Sequence, residues 1–74
     1  MILALDPGKR GCGCALFNPL GPLICAAYVK NPSKSEDDLA IAASMAHAVA
    51  AWVKLNASEP IVVVAYRTTP SIRP

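Results

Sequence analysis

The segment Ile2-Leu3-Ala4-Leu5-Asp6-Pro7-Gly8-Lys9-Arg10-Gly11-Cys12-Gly13 sets an apolar run against one carboxylate and then breaks at Pro-Gly. Ile2 to Leu5 has the short, continuous apolar character of a strand buried on both faces, and Pro7-Gly8 ends it. Gly11 to Phe17 reads as a second strand, in which Cys12, Cys14 and Leu16 share one face and Gly13, Ala15 and Phe17 the other. The turn formers Asn18-Pro19-Leu20-Gly21-Pro22 separate it from a third strand, Leu23 to Val29, in a hairpin.

Beyond the loop Asn31-Pro32-Ser33-Lys34-Ser35, the pair Ser35 and Asp38 resembles a capping box, and Glu36 and Asp37 suit a helix N-terminus. Leu39, Ala42, Ala43, Ala46, Val49, Ala50 and Val53 then recur at spacings of three and four, which lays one apolar stripe along a helix to about Leu55. Its alanines combine high helix propensity with little bulk, so the helix can lie close to a sheet. Asn56 to Pro60 closes it, and Ile61 to Tyr66 is a β-branched run of the kind found in central parallel strands. The residues from Arg67 to Pro74 read as a loop or tail with two prolines. The expected fold is α/β, ordered β-β-β-α-β in one partial domain over 1–74. A right-handed crossover lays the last strand parallel to the first and beside it, so that both are central.

A chain of 74 residues can build one small domain with a thin core. The hydrophobic share of 54% against 16% charged excludes a disordered chain. The weakly polar run Leu39 to Val53 is interrupted by Ser44 and His47 and falls short of the roughly 18 apolar residues of a membrane span. No secretion-signal pattern opens the sequence. Three cysteines, two of them only two apart, make no disulfide framework; they suit small buried hydrophobes in a reducing cytoplasm and match zinc-ligand spacing poorly. His47 has no neighbours in sequence that complete a metal or catalytic set, and reads as an edge or solvent residue.

If the first and last strands are neighbours, Asp6 lies at the carboxyl end of a central strand, where open α/β sheets bind ligands. A carboxylate there needs water, a partner or a cation, and Mg²⁺ prefers such oxygen ligands. The alternative is that Asp6 merely accepts N–H groups of the Pro-Gly turn. Spacing alone leaves both readings open.

The segment Asp6-Pro7-Gly8-Lys9-Arg10-Gly11-Cys12-Gly13 has the form D-P-G-x-R-x-x-G after an apolar strand, and resembles the first motif of RuvC-like Holliday junction resolvases. These belong to the ribonuclease H-like superfamily, and the following hairpin is similar to that of the small phage members. The resemblance spans nearly the whole chain in element order, as a truncated N-terminal part of that fold, but only the Asp-Pro-Gly segment is specific. It implies a metal-dependent endonuclease of DNA recombination acting on branched DNA, in which Asp6 is a catalytic carboxylate and a ligand of two Mg²⁺ or Mn²⁺ ions. It also implies that Lys9, Arg10 and Arg67 approach DNA phosphates, each of which is equally readable as a solvated surface charge.

The family pattern places a Glu after the valine run, where Ala65 follows Val62-Val63-Val64. The remaining acids are Glu36, Asp37, Asp38 and Glu59; the first three suit the helix start, and Glu59 falls at the far end from Asp6. The expectation is therefore weak metal binding and weak or absent catalysis. Two other readings stay open: a non-catalytic module that binds DNA or a second subunit, including a homodimer, and a nucleotide-phosphate-binding fragment like the actin and sugar-kinase group. Pro7 and the Arg10 and Gly13 spacing count against the latter.

Overall fold

A computed structural model describes residues 1–66. The chain runs β1 (Ile2–Pro7), β2 (Gly11–Phe17), β3 (Leu23–Lys30), α1 (Asp38–Asn56) and β4 (Val63–Tyr66). The four strands form one mixed sheet in the order β3-β2-β1-β4. β1–β2 and β2–β3 are antiparallel, whereas β4 lies parallel to β1 with Ile2 opposite Val63 and Ala4 opposite Ala65. The ladder is tied at its start by Val62 N–H to the Met1 carbonyl (3.0 Å) and by the Met1 amino group to the Pro60 carbonyl (2.8 Å). The expected element order and the parallel closure of the last strand on the first are thus present. The strand starts later than the apolar sequence from Ile61 and ends with it at Tyr66, and the residues 67–74, Arg67 included, lie outside those described.

The alternation in β2 builds the core. Cys12, Cys14 and Leu16 point to the helix side and are buried, Leu16 completely (0% exposed). Leu16 joins Met1 and Leu3 in one cluster, and Cys12 and Cys14 join Met45 in the other, with Trp52 touching both. All three cysteines are free. Burial, chiefly, pushes the Cys14 thiol up from 9.0 to about 12, with neighbouring Cys12 adding to it.

Three expectations need correction. β1 is interior but not buried on both faces: Leu3 is buried, while Ile2, Ala4 and Leu5 are half-buried, because α1 covers one side of the sheet and no described element covers the other. β4 is an edge strand among the described elements, with all four residues exposed. The helix turns inward a face that shares only Val49 and Val53 with the expected stripe. Ile41 and Met45 are buried and Ala48, Val49, Trp52 and Val53 pack around them, while Leu39 is 79% exposed and Ala42, Ala43, Ala46 and Ala50 face outward. Large side chains remove more apolar area per residue than alanines, so Ile41, Met45 and Trp52 determine which side meets the sheet.

The helix start also differs. Asp37, not Ser35, is the N-cap, and its carboxylate accepts from Ala40 N–H (3.1 Å). Ser35 is already engaged, since its hydroxyl accepts from Asp37 N–H (3.0 Å). The same two-residue step recurs before it: Ser33 Oγ accepts from Ser35 N–H (3.1 Å) and Asn31 Oδ1 from Ser33 N–H (3.0 Å). Alternate polar residues thereby satisfy the backbone of the approach to α1 without regular structure.

Measured by length and composition, α1 is also long and apolar enough to cross a membrane, with mean hydropathy 1.3 over its best window. The sequence expectation counted only Leu39 to Val53, and the helix extends beyond that at both ends. Ile41 and Met45 seat it on the sheet, and the rest of its length is exposed or half-buried.

Candidate metal and nucleic-acid site

Asp6 is the next-to-last residue of β1, on the sheet face opposite α1, and exposed. The β1–β2 turn holds it there: Gly8 N–H donates to the Gly11 carbonyl (2.8 Å), so the chain reverses within four residues and brings Gly13 directly opposite Asp6. Gly13 has no side chain to fill the space beside the carboxylate; a methyl there would only touch the Asp6 Cβ, at 3.4 Å. Ala4, Gly13, Ala15 and Ala26 floor a shallow hollow of about 340 Å³ on this face, with Asp6 at its end. No backbone N–H donates to the Asp6 carboxylate among the described residues, so the turn does not use it as an acceptor.

Parallel pairing sets Ala65 level with Ala4, and Ala4 and Asp6 project from the same face of β1. Residue 65 is therefore a diagonal neighbour of Asp6 across the β1–β4 ladder. It carries a methyl where a second carboxylate would complete a pair. Glu59 precedes β4 and lies at the opposite end of the sheet, as the parallel register requires. Asp38 reaches the Asp6 end, but on the helix side, where it meets Lys9 Nζ at 3.7 Å. Among the described residues no three His, Cys, Asp and Glu side chains cluster to hold an ion, and His47 is exposed on α1. The residues present fit one hydrated divalent cation held through Asp6, and do not fit a two-metal pair.

Lys9 and Arg10 form the tip of the turn after Asp6, both exposed. Sequence reasoning missed what holds that tip. Asn31 N–H donates to the Arg10 carbonyl (2.9 Å), and Asn31 Nδ2 donates to the Lys9 carbonyl (3.3 Å) and the Ile41 carbonyl (2.9 Å). One side chain links the basic turn, the end of β3 and the first turn of α1. Its only sequence signal was the polar alternation from Asn31 to Asp37. A second missed contact is Tyr28, which pairs with Gly13 in register and lays its ring over Gly11, in space that any side chain at 11 would occupy.

The larger opening is elsewhere. A groove of about 840 Å³ runs between α1 and the β1–β4 side of the sheet, on the face away from the Asp6 carboxylate, and its lining is almost wholly apolar. It has no polar group suited to chemistry except at its ends, so the candidate site is the small hollow and not the large groove.

No protein-family model, curated protein or solved structure matches the chain.

Proposed function

We propose that the chain is a reduced RuvC-like module of the ribonuclease H-like kind, which holds a hydrated Mg²⁺ or Mn²⁺ at Asp6 and binds branched DNA, with little or no strand cleavage of its own. The observation that carries this reading is the Asp6 carboxylate, exposed and free of backbone donors at the carboxyl end of an interior strand whose neighbour β4 runs parallel to it. Such strand ends are where open α/β sheets bind ligands. A cation there would bridge the carboxylate and a phosphate oxygen, since Mg²⁺ is commonly held by one or two carboxylates plus substrate phosphates. The exposed Lys9 and Arg10 stand one turn away and would supply salt-sensitive, sequence-independent attraction. Phosphodiester hydrolysis would call for a second carboxylate, and Ala65 supplies none, which favours binding over catalysis.

The test is fluorescence anisotropy of a labelled four-way junction and a linear duplex of equal length, titrated with the chain at several salt concentrations in Mg²⁺. Junction binding that weakens with salt, and weakens further in the Lys9→Ala, Arg10→Ala variant, is the expected result. Equal affinity for junction and duplex, or none for either, contradicts the reading.

A further inference from the structure

The sheet face that no described element covers carries an exposed aromatic ring in an unusual setting. Tyr28 pairs with Gly13, and Gly13 with Asp6, so the three form one row across β3, β2 and β1 on that face. The Tyr28 ring lies over Gly11, which has no side chain of its own and is nevertheless buried. Tyr28 itself stays 62% exposed. The ring is thus held against the backbone on one side and open on the other.

Its surroundings are cationic on one flank and small on the other. Lys30 stands two positions along β3, opposite Gly11 and on the same face, and Arg10 immediately precedes Gly11; both are exposed. Toward β1, Ala4, Gly13, Ala15 and Ala26 leave the shallow hollow that ends at Asp6. Tyr66 is as exposed (66%), but it pairs with Leu5 and therefore projects on the helix side of the sheet, away from Lys30.

We propose that Tyr28 is a stacking platform for an unpaired nucleobase, with Lys30 and Arg10 drawing in the flanking phosphates. This rests on the nucleic-acid reading above and names the feature recognised. A base inside a duplex has both faces covered by its neighbours, so only an unpaired base, in a single strand or at a branch point, can lay a face on the ring. Every base offers such a face, and stacking on an aromatic side chain beside positive charge binds without regard to sequence. Two strand steps of ~4.8 Å put Asp6 about 10 Å from Tyr28 along the row. Gly13 between them leaves the path clear for the sugar-phosphate of a stacked nucleotide to approach the Asp6 carboxylate.

The test combines fluorescence anisotropy and NMR on the whole chain in Mg²⁺, with a single-stranded oligodeoxynucleotide, the same sequence as a blunt duplex, and a four-way junction. The single strand should bind more tightly than the duplex, and the Tyr28 ring protons should move upfield as it is added. Tyr28→Leu should weaken single-strand binding by about tenfold, while Tyr28→Phe and Tyr66→Leu leave it unchanged. A matching loss on the junction assigns a branch-point base to the platform as well; a loss on the single strand alone assigns it to single strands. Single-strand affinity that survives Tyr28→Leu overturns the proposal and leaves the junction reading standing. Single-strand stacking with equal affinity for junction and duplex does the reverse, and a wild type that binds no nucleic acid overturns both. If Tyr28→Leu fails to fold, the ring protons of the wild type decide, and their failure to move on addition of the single strand overturns the platform.

Discussion

Asp6 and Gly13 stand directly opposite each other across the β1–β2 hairpin, the acid at the end of one strand and the residue without a side chain in the next. The seven-residue interval between them follows from the tight turn closed by Gly8 and Gly11. The spacing of the Asp-Pro-Gly motif and its last glycine therefore has a local geometric basis in the register of the hairpin.

Restoring an acid at the neighbouring position should create a second ligand. Ala65→Glu is expected to tighten Mn²⁺ binding by tenfold or more, on the order of 1.4 kcal/mol, because residue 65 shares the Asp6 face of the adjacent strand. Isothermal titration calorimetry of both forms checks this, and Ala65→Gln separates the charge from the bulk.

Asn31→Ala removes two donors and one acceptor that join the basic turn, the loop and α1. A loss of about 1–3 kcal/mol is expected from the three lost hydrogen bonds together, the Ile41 carbonyl keeping its bond within the helix, read from urea unfolding. Asp37→Ala, which removes the helix N-cap, should cost about 1 kcal/mol by the same measurement.

Thiol reactivity should separate the cysteines. Cys25 is half-exposed and should react with a disulfide reagent at neutral pH, while Cys12 and Cys14 should react only after unfolding. The Cys14 thiol has a folded-state pKa raised from 9.0 to about 12. The stability linked to keeping it protonated is fully present below pH 9.0 and is lost as pH rises toward about 12. Alkaline unfolding midpoints of the wild type and Cys14→Ala test the sign: the wild type should lose stability more steeply over that window.

Gly11→Ala should move the Tyr28 ring off the sheet rather than unfold the protein. Only the far end of the ring occupies the new methyl's space, so the cost should be about 1 kcal/mol or less and non-additive with Tyr28→Ala. A double-mutant cycle by urea denaturation measures the coupling.

The β2 faces were legible because strict alternation of Cys12, Cys14 and Leu16 with Gly13, Ala15 and Phe17 leaves one register that buries the larger set. The parallel placement of β4 was legible from the intervening helix. The inward face of α1 was not, because a helix rich in alanine offers more than one apolar stripe, and the regular one beginning at Leu39 lost to the bulk of Ile41, Met45 and Trp52. The edge position of β4 also could not be read from its valines, since a β-branched run looks alike at an edge and in a sheet centre. Asp6 was legible as a site from its place after an apolar strand. Asn31 was not, because its three contacts come from elements distant in sequence.

The most direct test of the account is an amide NMR titration of the chain with Mn²⁺, with Asp6→Asn as control. Paramagnetic broadening centred on Asp6, Gly8, Gly13 and Ala65 in the wild type, and absent in the variant, is the predicted result. A dispersed spectrum with no broadening at those amides, or the same broadening in Asp6→Asn, would contradict a cation site at the end of β1.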